Sequence, residues 1–219
     1  MPKWKRCFDL AFIMLTSPLW LPLMVISVLY VKLVSSGPVF YRQERVGLGS
    51  KPFMIWKFRS MQVNADTTTH EGYTKSLIRG NSPMKKLDER GDSRIIPGGK
   101  LFRAMALDEL PQLFNVLCGE MSLVGPRPCT PAEFELYEPW HKNRVNVLPG
   151  MTGQWQVNGK NNTSFTQMIH LDLEYGRTMS IWSDASIIAR TVPTLVGQIY
   201  ASRRRRALEK ANRQSSQTA

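Results

Sequence analysis

Two adjacent carboxylates, Asp108 and Glu109, have several basic side chains near them along the 219-residue sequence. Arg103 lies five residues before Asp108, and a rigid Pro-Arg-Pro turn that ends at residue 128 holds Arg127 in a defined direction. One carboxylate can attack a phosphorus atom or hold Mg²⁺, while guanidinium groups neutralise phosphate oxygens. These residue types therefore indicate metal-assisted chemistry on a phosphorylated substrate.

The carboxylate pair also has a purely structural interpretation. Helical spacing of apolar residues predicts a helix over this stretch, at Leu107, Leu110, Leu113, Phe114 and Leu117. Asp108 and Glu109 then fall at the helix start, where Asp108 would cap the helix and Glu109 would complement its dipole. Pro111 is tolerated there because the first helical turn needs no backbone donor.

A β-hairpin is predicted to supply two further cations. Apolar runs at 39–41 and 53–56 bracket a glycine-containing turn at 47–49, the pattern of two paired strands. Period-two alternation places Ile55, Lys57 and Arg59 on one face of the second strand. That face either contributes Lys57 and Arg59 to phosphate binding or is a solvated basic surface.

An apolar segment points to a membrane. The 22 residues from 10 to 31 carry no formal charge, enough for about 33 Å of helix against a hydrocarbon core of roughly 30 Å. Pro18 and Pro22 near its middle favour a break at Ser17-Pro18, and both flanks are basic, so neither end prefers the far side. We therefore expect a re-entrant helix hairpin; a plain span and an uncleaved signal peptide are the alternatives.

Composition limits the remaining choices. The net charge is +12, hydrophobic residues make up 42% of the chain, and there are three cysteines. This balance excludes a wholly disordered chain or a disulfide framework, and the basic clusters suit nucleic acid, anionic lipid or a phosphorylated substrate.

A set of motifs, in this order, resembles the bacterial sugar transferase family, the monotopic phosphoglycosyl transferases. They are Ser17-Pro18 in the apolar segment, RQERVG at 42–47, WKFRSM at 56–61, LDELPQL at 107–113, GEMSLVGPRP at 119–128 and PGMTGQWQV at 149–157. The similarity extends from about residue 3 to about residue 196. Residues 62–92 match no motif and are predicted to form a loop with one short helix around 74–78.

The resemblance implies a reaction. A sugar 1-phosphate moves from a nucleotide sugar, usually a UDP-sugar, to polyprenyl (undecaprenyl) phosphate, and nucleoside monophosphate is released, as the first membrane step of surface glycan or exopolysaccharide synthesis. Asp108 is similar to the family's nucleophile, which carries the phosphosugar as an aspartyl phosphate, and Glu109 to its partner, which with Asp108 binds Mg²⁺. Three matched cations would hold phosphate or nucleotide: Lys57, Arg103 and Arg127.

The resemblance also implies an architecture. The expected fold is α+β and mainly helical, with a re-entrant membrane segment at 1–36, a catalytic domain with a small β-hairpin and membrane-surface amphipathic helices at 37–200, and a basic disordered tail at 201–219. Ser17 and Pro18 match the pair that breaks the membrane helix. The catalytic domain would face the cytoplasm at the bacterial inner membrane. The implied partners are nucleotide sugar, polyprenyl phosphate and membrane lipids, with no nucleic acid, and a homo-oligomer is left open.

A rival of another class remains. The chain could be a membrane-anchored basic binding or scaffold protein. Its tail would then bind anionic lipid or nucleic acid, and the Asp-Glu pair would be structural. Loss of turnover on Asp108→Asn would separate the enzyme from this alternative.

Overall fold

The structure is a computed structural model that describes residues 1–63, 72, 76–78, 80, 94–159 and 163–215, with backbone only for 198 and 201–215. Most of the unmatched stretch 62–92, including part of the short helix predicted at 74–78, lies outside the described residues. The helices are α1 Lys3–Val34, α2 Gly99–Ala104, α3 Gln112–Cys118, α4 Pro131–Glu135, α5 Pro139–Lys142, α6 Gln154–Val157, α7 Phe165–Thr178 and α8 Ile181–Ser215. The strands are β1 Phe40–Val46, β2 Pro52–Phe58, β3 Ser122–Val124 and β4 Gly150–Thr152. The predicted class, α+β and mainly helical, is confirmed.

Helix α1 stays helical across its two prolines, so the predicted break at Ser17-Pro18 does not divide it into two helices. The proline changes the hydrogen bonds of nearby backbone carbonyls in α1 instead. Pro18 cannot donate to the carbonyl of Met14, and the Ser17 hydroxyl donates to that oxygen at 2.8 Å. One turn further on, the indole N–H of Trp20 donates to the carbonyl of Ile13 at 3.0 Å. Side chains thus satisfy carbonyls at the point where the proline weakens the helix.

Both ends of α1 pack against the rest of the protein, while most large apolar side chains in its middle, apart from Trp20, are exposed. Near the N-terminus Lys5, Asp9 and Ile13 are buried, and near the C-terminus Met24 and Val31 are buried. Large apolar side chains between and beside these contacts are exposed: Met14, Leu15, Leu19, Leu21, Leu23, Val25 and Ile26. By length and composition, α1 could cross a membrane.

The predicted hairpin is confirmed. Strands β1 and β2 pair antiparallel with Tyr41 opposite Lys57 and Val46 opposite Pro52. The connection is a 3₁₀ turn at Leu48–Ser50, in which Gly49 (φ 63°) and Ser50 (φ 65°) are left-handed. The buried face of β2 carries Phe53 and Ile55 into the main core.

The glycine-containing motifs at 125 and 150 meet backbone to backbone. Strand β3 pairs in parallel with β4, and a Cβ on Gly150 would lie 2.1 Å from the nitrogen of Gly125. A Cβ on Gly125 would lie 2.3 Å from the carbonyl oxygen of Leu148. Because real Cβ atoms do not approach so closely, both positions require glycine, and the crossing fixes where the Pro-Arg-Pro turn begins.

The last two helices complete the domain. Helix α7 begins with a capping box in which Ser164 and Gln167 exchange side-chain and backbone hydrogen bonds, and the following α8 runs to Ser215. The backbone of 201–215 is therefore helical, although the sequence predicts a disordered tail from 201. The predicted boundary at residue 36 falls between the end of α1 and the start of β1.

Candidate active site

The carboxylate pair lies in a turn of its own. Residues Leu107–Glu109 form a 3₁₀ turn that follows α2, and Ala106 before it has left-handed geometry with φ 55°. Helix α3 begins only at Gln112, with Pro111 as its N-terminal neighbour, and neither element has a side-chain cap. The structural interpretation in which Asp108 caps the helix is therefore wrong, because Asp108 lies inside the 3₁₀ turn and is the N-cap residue of neither element.

Asp108 is a buried carboxyl beside another carboxylate. Its side chain is 9% exposed. Burial, followed by the negative charge of Glu109, raises the pKa of Asp108 to about 6, while the charges of Lys57 and Arg103 oppose the rise. The group is thus mainly ionised at neutral pH, but in a setting that disfavours its charge. Such a carboxylate is a candidate nucleophile.

Lys57 joins the pair from the neighbouring strand. Its ammonium nitrogen lies 3.1 Å from a carboxylate oxygen of Glu109, with the two side chains 23% and 37% exposed. The contact links β2 to the turn that carries Asp108. Arg103, in the last turn of α2, is the second cation whose charge acts on Asp108. The structure therefore brings together four of the predicted residues: Asp108, Glu109, Lys57 and Arg103.

Arg59 lies elsewhere, although alternation predicts it beside Lys57. It follows the last residue of β2, is 6% exposed, and donates from Nη2 to the carbonyl of Ser35 just beyond α1 at 3.0 Å. Within the described part of the chain, its Nε and Nη1 have no hydrogen-bond partner. The N–H of Arg59 still donates to the carbonyl of Val39 at 2.9 Å, so the register of the hairpin continues, but the guanidinium reaches the end of the apolar helix.

Arg127 is at the opposite end of the hairpin from the carboxylates. The N–H of Val46 donates to the carbonyl of Cys129 at 2.9 Å, which fixes the Pro-Arg-Pro turn beside the end of β1. Lys57 pairs with Tyr41, five residues from Val46, so about 17 Å of strand separates the two sites at about 3.4 Å per residue. Arg127 is exposed and lines a small cleft together with Val46 and Pro149. It would approach an extended ligand from the end of the hairpin that lies away from the carboxylates.

Two buried arginines that the sequence-based search overlooked hold this turn. Arg45 donates from Nη1 to the carbonyl of Pro128 at 2.9 Å, and Arg144 donates from Nη2 to the carbonyl of Arg127 at 2.9 Å. Arg144 also forms a 2.5 Å ion pair with buried Asp172. Arg45 lies within the polar RQERVG motif, which gives no sign that this residue is buried, and no local pattern links Arg144 to Asp172.

The carboxylates of the candidate site supply only part of a coordination shell for one divalent ion. Among the described residues no group of three or more His, Cys, Asp or Glu side chains could hold a metal. Asp108 and Glu109 supply two neighbouring carboxylates, and Mg²⁺ in phosphoryl-transfer sites is commonly held by one or two carboxylates together with substrate phosphates. The pair therefore fits Mg²⁺ that arrives with a phosphorylated substrate.

Comparison with known proteins identifies the family. A sequence profile described as bacterial sugar transferase matches residues 2–198. The chain belongs to the bacterial sugar transferase family. It is therefore an enzyme of the transferase class, and Asp108, Glu109 and Arg103 lie within the matched region of this sugar transferase.

Individual relatives agree with the family assignment. The sugar transferase is 39% identical over 200 residues to the UDP-glucose:undecaprenyl-phosphate glucose-1-phosphate transferase of Caulobacter vibrioides, covering 88% of this chain and 69% of that protein. It is 33% identical to the exopolysaccharide production protein ExoY of Sinorhizobium fredii, with 87% and 84% covered. It is 42% identical to the galactosyl transferase CpsE of Streptococcus agalactiae, covering 73% of this chain but only 35% of that longer protein.

Proposed function

We propose that this transferase moves a sugar 1-phosphate from a UDP-sugar to undecaprenyl phosphate and releases UMP, at a first membrane step of exopolysaccharide or surface glycan synthesis. The observation that carries the proposal is the buried Asp108 carboxyl beside the Glu109–Lys57 ion pair. The names of the relatives from Caulobacter vibrioides and from Salmonella typhimurium, an undecaprenyl-phosphate galactose phosphotransferase, supply the substrate classes.

The proposed chemistry has two displacements at one phosphorus atom. An Asp108 carboxylate oxygen attacks the β-phosphorus of the nucleotide sugar, the bond from that phosphorus to the bridging oxygen breaks, and UMP leaves. An oxygen of undecaprenyl phosphate then attacks the same phosphorus, and the bond to Asp108 breaks to regenerate the carboxylate. A covalent intermediate lets two anionic substrates use the site in turn, so they need not meet directly.

The surrounding side chains have defined tasks in this scheme. Lys57 and Arg103 offset negative charge near Asp108, which keeps its carboxyl ionised and neutralises phosphoryl oxygens. Glu109 orients Lys57 through their 3.1 Å contact. Arg127, at the other end of the hairpin, would contact the nucleotide part of the donor. Arg59 donates to the carbonyl of Ser35, so its part in phosphate binding would be near the end of α1.

Asp108 and Glu109 are the residues that would hold Mg²⁺. The bound ion would supply positive charge to the diphosphate and so favour departure of UMP. Chelation should abolish turnover and added Mg²⁺ should restore it; full turnover in chelator would exclude the ion from the reaction.

We also propose that α1 enters and leaves the inner membrane on the cytoplasmic face, where the catalytic domain lies. Lys5 near the start of α1 forms a buried 2.6 Å ion pair with Asp184 of α8, and Val31 near its end is buried in a cluster with Phe58 of β2. Both ends thus pack on the same domain, which supports a shared side, and the exposed apolar middle suits lipid. A continuous crossing would separate these contacts.

The topology has a direct test. In a chain without its native cysteines, a cysteine at position 2 should be protected from a membrane-impermeant thiol reagent in intact cells. Replacing Pro18 and Pro22 with Leu restores backbone donors and should increase labelling by favouring a span. Labelling of the otherwise native sequence would contradict the re-entrant arrangement.

The activity is tested with purified protein, undecaprenyl phosphate and a panel of UDP-sugars. One sugar should yield UMP and a lipid-linked product in equal amounts, and Asp108→Asn should abolish both at unchanged expression. A membrane-anchored binding or scaffold protein would release no UMP with any sugar, and Asp108→Asn would leave its binding unchanged.

A further inference from the structure

Asn115 of α3 is fully buried and binds the free edge of strand β2. Its Oδ1 accepts a hydrogen bond from the N–H of Trp56 at 3.0 Å, and its Nδ2 donates to the carbonyl of Met54 at 2.8 Å. The second hydrogen on Nδ2 goes to Glu120 Oε2 at 2.7 Å. All three bonds match the donor and acceptor character of the amide, so its orientation is fixed.

This amide takes the place of a missing neighbouring strand. One edge of β2 pairs with β1, and the other would present an unpaired N–H from Trp56 and an unpaired carbonyl from Met54. Asn115 satisfies both, as a residue of a parallel strand opposite Ile55 would do. Since buried backbone groups need partners, these two hydrogen bonds fix the position of β2 relative to α3.

The hydrogen bond from Trp56 to Asn115 is one residue along β2 from the ion pair of Lys57 and Glu109. Lys57 directly follows Trp56, and Glu109 lies six residues before Asn115, separated from α3 by the turn at Leu110 and Pro111. The relative position of strand and helix therefore sets the 3.1 Å contact between Lys57 and Glu109. We propose that Asn115 is a positioning residue that holds Lys57 against Glu109 and thereby beside Asp108. This inference rests on the proposed function for its catalytic consequence, but not for its structural one.

The test compares Asn115→Ala and Asn115→Asp with Glu120→Gln. Alanine removes both bonds to β2, whereas aspartate keeps an acceptor for the Trp56 N–H and loses the donor to Met54. Glu120→Gln is the matched control, because a glutamine oxygen still accepts from Asn115 and the strand contacts remain. Each full-length protein is treated with acetic anhydride under native conditions, and acetylation of Lys57 is measured by mass spectrometry relative to exposed Lys51.

Loss of the contact between Lys57 and Glu109 should be detectable by acetylation, without an activity assay. In both Asn115 variants we expect acetylation of Lys57 to rise by about threefold to fivefold, the factor that a partly exposed ion pair supplies. Glu120→Gln should leave the ratio unchanged. In turnover assays the Asn115 variants should lower kcat, by up to about 100-fold if the displacement reaches 1 Å, with little change in KM for the nucleotide sugar.

The possible results separate the two proposals. If a folded Asn115 variant keeps the native Lys57 ratio, the positioning role is wrong, whatever the turnover. If Asn115→Ala does not fold, the Asn115→Asp ratio decides in the same way. If the native protein turns over no nucleotide sugar but Asn115→Asp exposes Lys57, the proposed function fails and the positioning of Lys57 stands.

Discussion

Replacing Asp108 with Asn should abolish transfer and, at the same time, stabilise the folded protein. The raised pKa, about 6 against an ordinary 3.8, means that the folded chain holds a proton on Asp108 more tightly than the unfolded chain does. At 1.36 kcal/mol per pH unit, the ionised carboxyl costs about 3 kcal/mol of folding free energy at neutral pH. Asparagine keeps the shape and removes the charge, so about 1 to 3 kcal/mol should be recovered.

The difference in stability between the native protein and Asp108→Asn should depend on pH. Asp108 adds little penalty below about pH 4, where the carboxyl is largely protonated in both states; the penalty grows between about pH 4 and pH 6, where only the unfolded chain ionises, and it is complete above about pH 7. The stability advantage of Asp108→Asn should therefore be small at pH 4 and largest above pH 7. Thermal unfolding in detergent should show a difference of roughly 6 to 12 °C at pH 7.5 for the full 3 kcal/mol.

If Asp108→Asn is less stable than the native protein, or more stable by the same amount at pH 4 and pH 7.5, the carboxyl is not held in a charge-disfavouring site and the reasoning about Asp108 fails.

Three further predictions follow from the geometry. Lys57→Met should shift the acid limb of the turnover pH profile above about 6, because its charge lowers the pKa of Asp108; an unshifted limb would contradict this effect. Arg127→Ala should raise KM for the nucleotide sugar and leave the acid limb in place, since the residue is about 17 Å of strand from Lys57; a shifted limb would place it at the carboxylates. Gly150→Ala should lower the unfolding temperature strongly, because its Cβ would lie 2.1 Å from the nitrogen of Gly125; a native melting curve would exclude that crossing.

Much of the arrangement of the candidate site could be predicted because local patterns encode it. The carboxylate pair, the hairpin and Arg103 each follow from short-range spacing or from the family motifs, and the structure brings Lys57 to Glu109. Alternation predicts the face on which Arg59 lies, but not that its long side chain reaches the carbonyl of Ser35 and not the carboxylates. Helical spacing likewise does not predict that Asp108 lies inside a 3₁₀ turn whose N-cap residue is Ala106.

What could not be predicted depends on contacts distant in sequence. The buried pair of Lys5 and Asp184 joins residues 179 positions apart, and no local pattern marks either as a partner of the other. Asn115 looks like an ordinary polar residue within a helix, yet it completes the edge of a strand some 60 residues earlier. Such roles follow from tertiary packing, which satisfies buried polar groups wherever the fold brings them together.

The central claim, that Asp108 carries the sugar phosphate, is tested most directly by trapping the intermediate. The native protein is incubated with its UDP-sugar and Mg²⁺ in the absence of undecaprenyl phosphate, quenched, digested and examined by mass spectrometry. We expect one phosphosugar per protein on the peptide containing Asp108, one UMP released per adduct, and loss of the adduct when undecaprenyl phosphate is added. An unmodified Asp108 peptide in an enzyme that turns over normally when both substrates are present would contradict the covalent route.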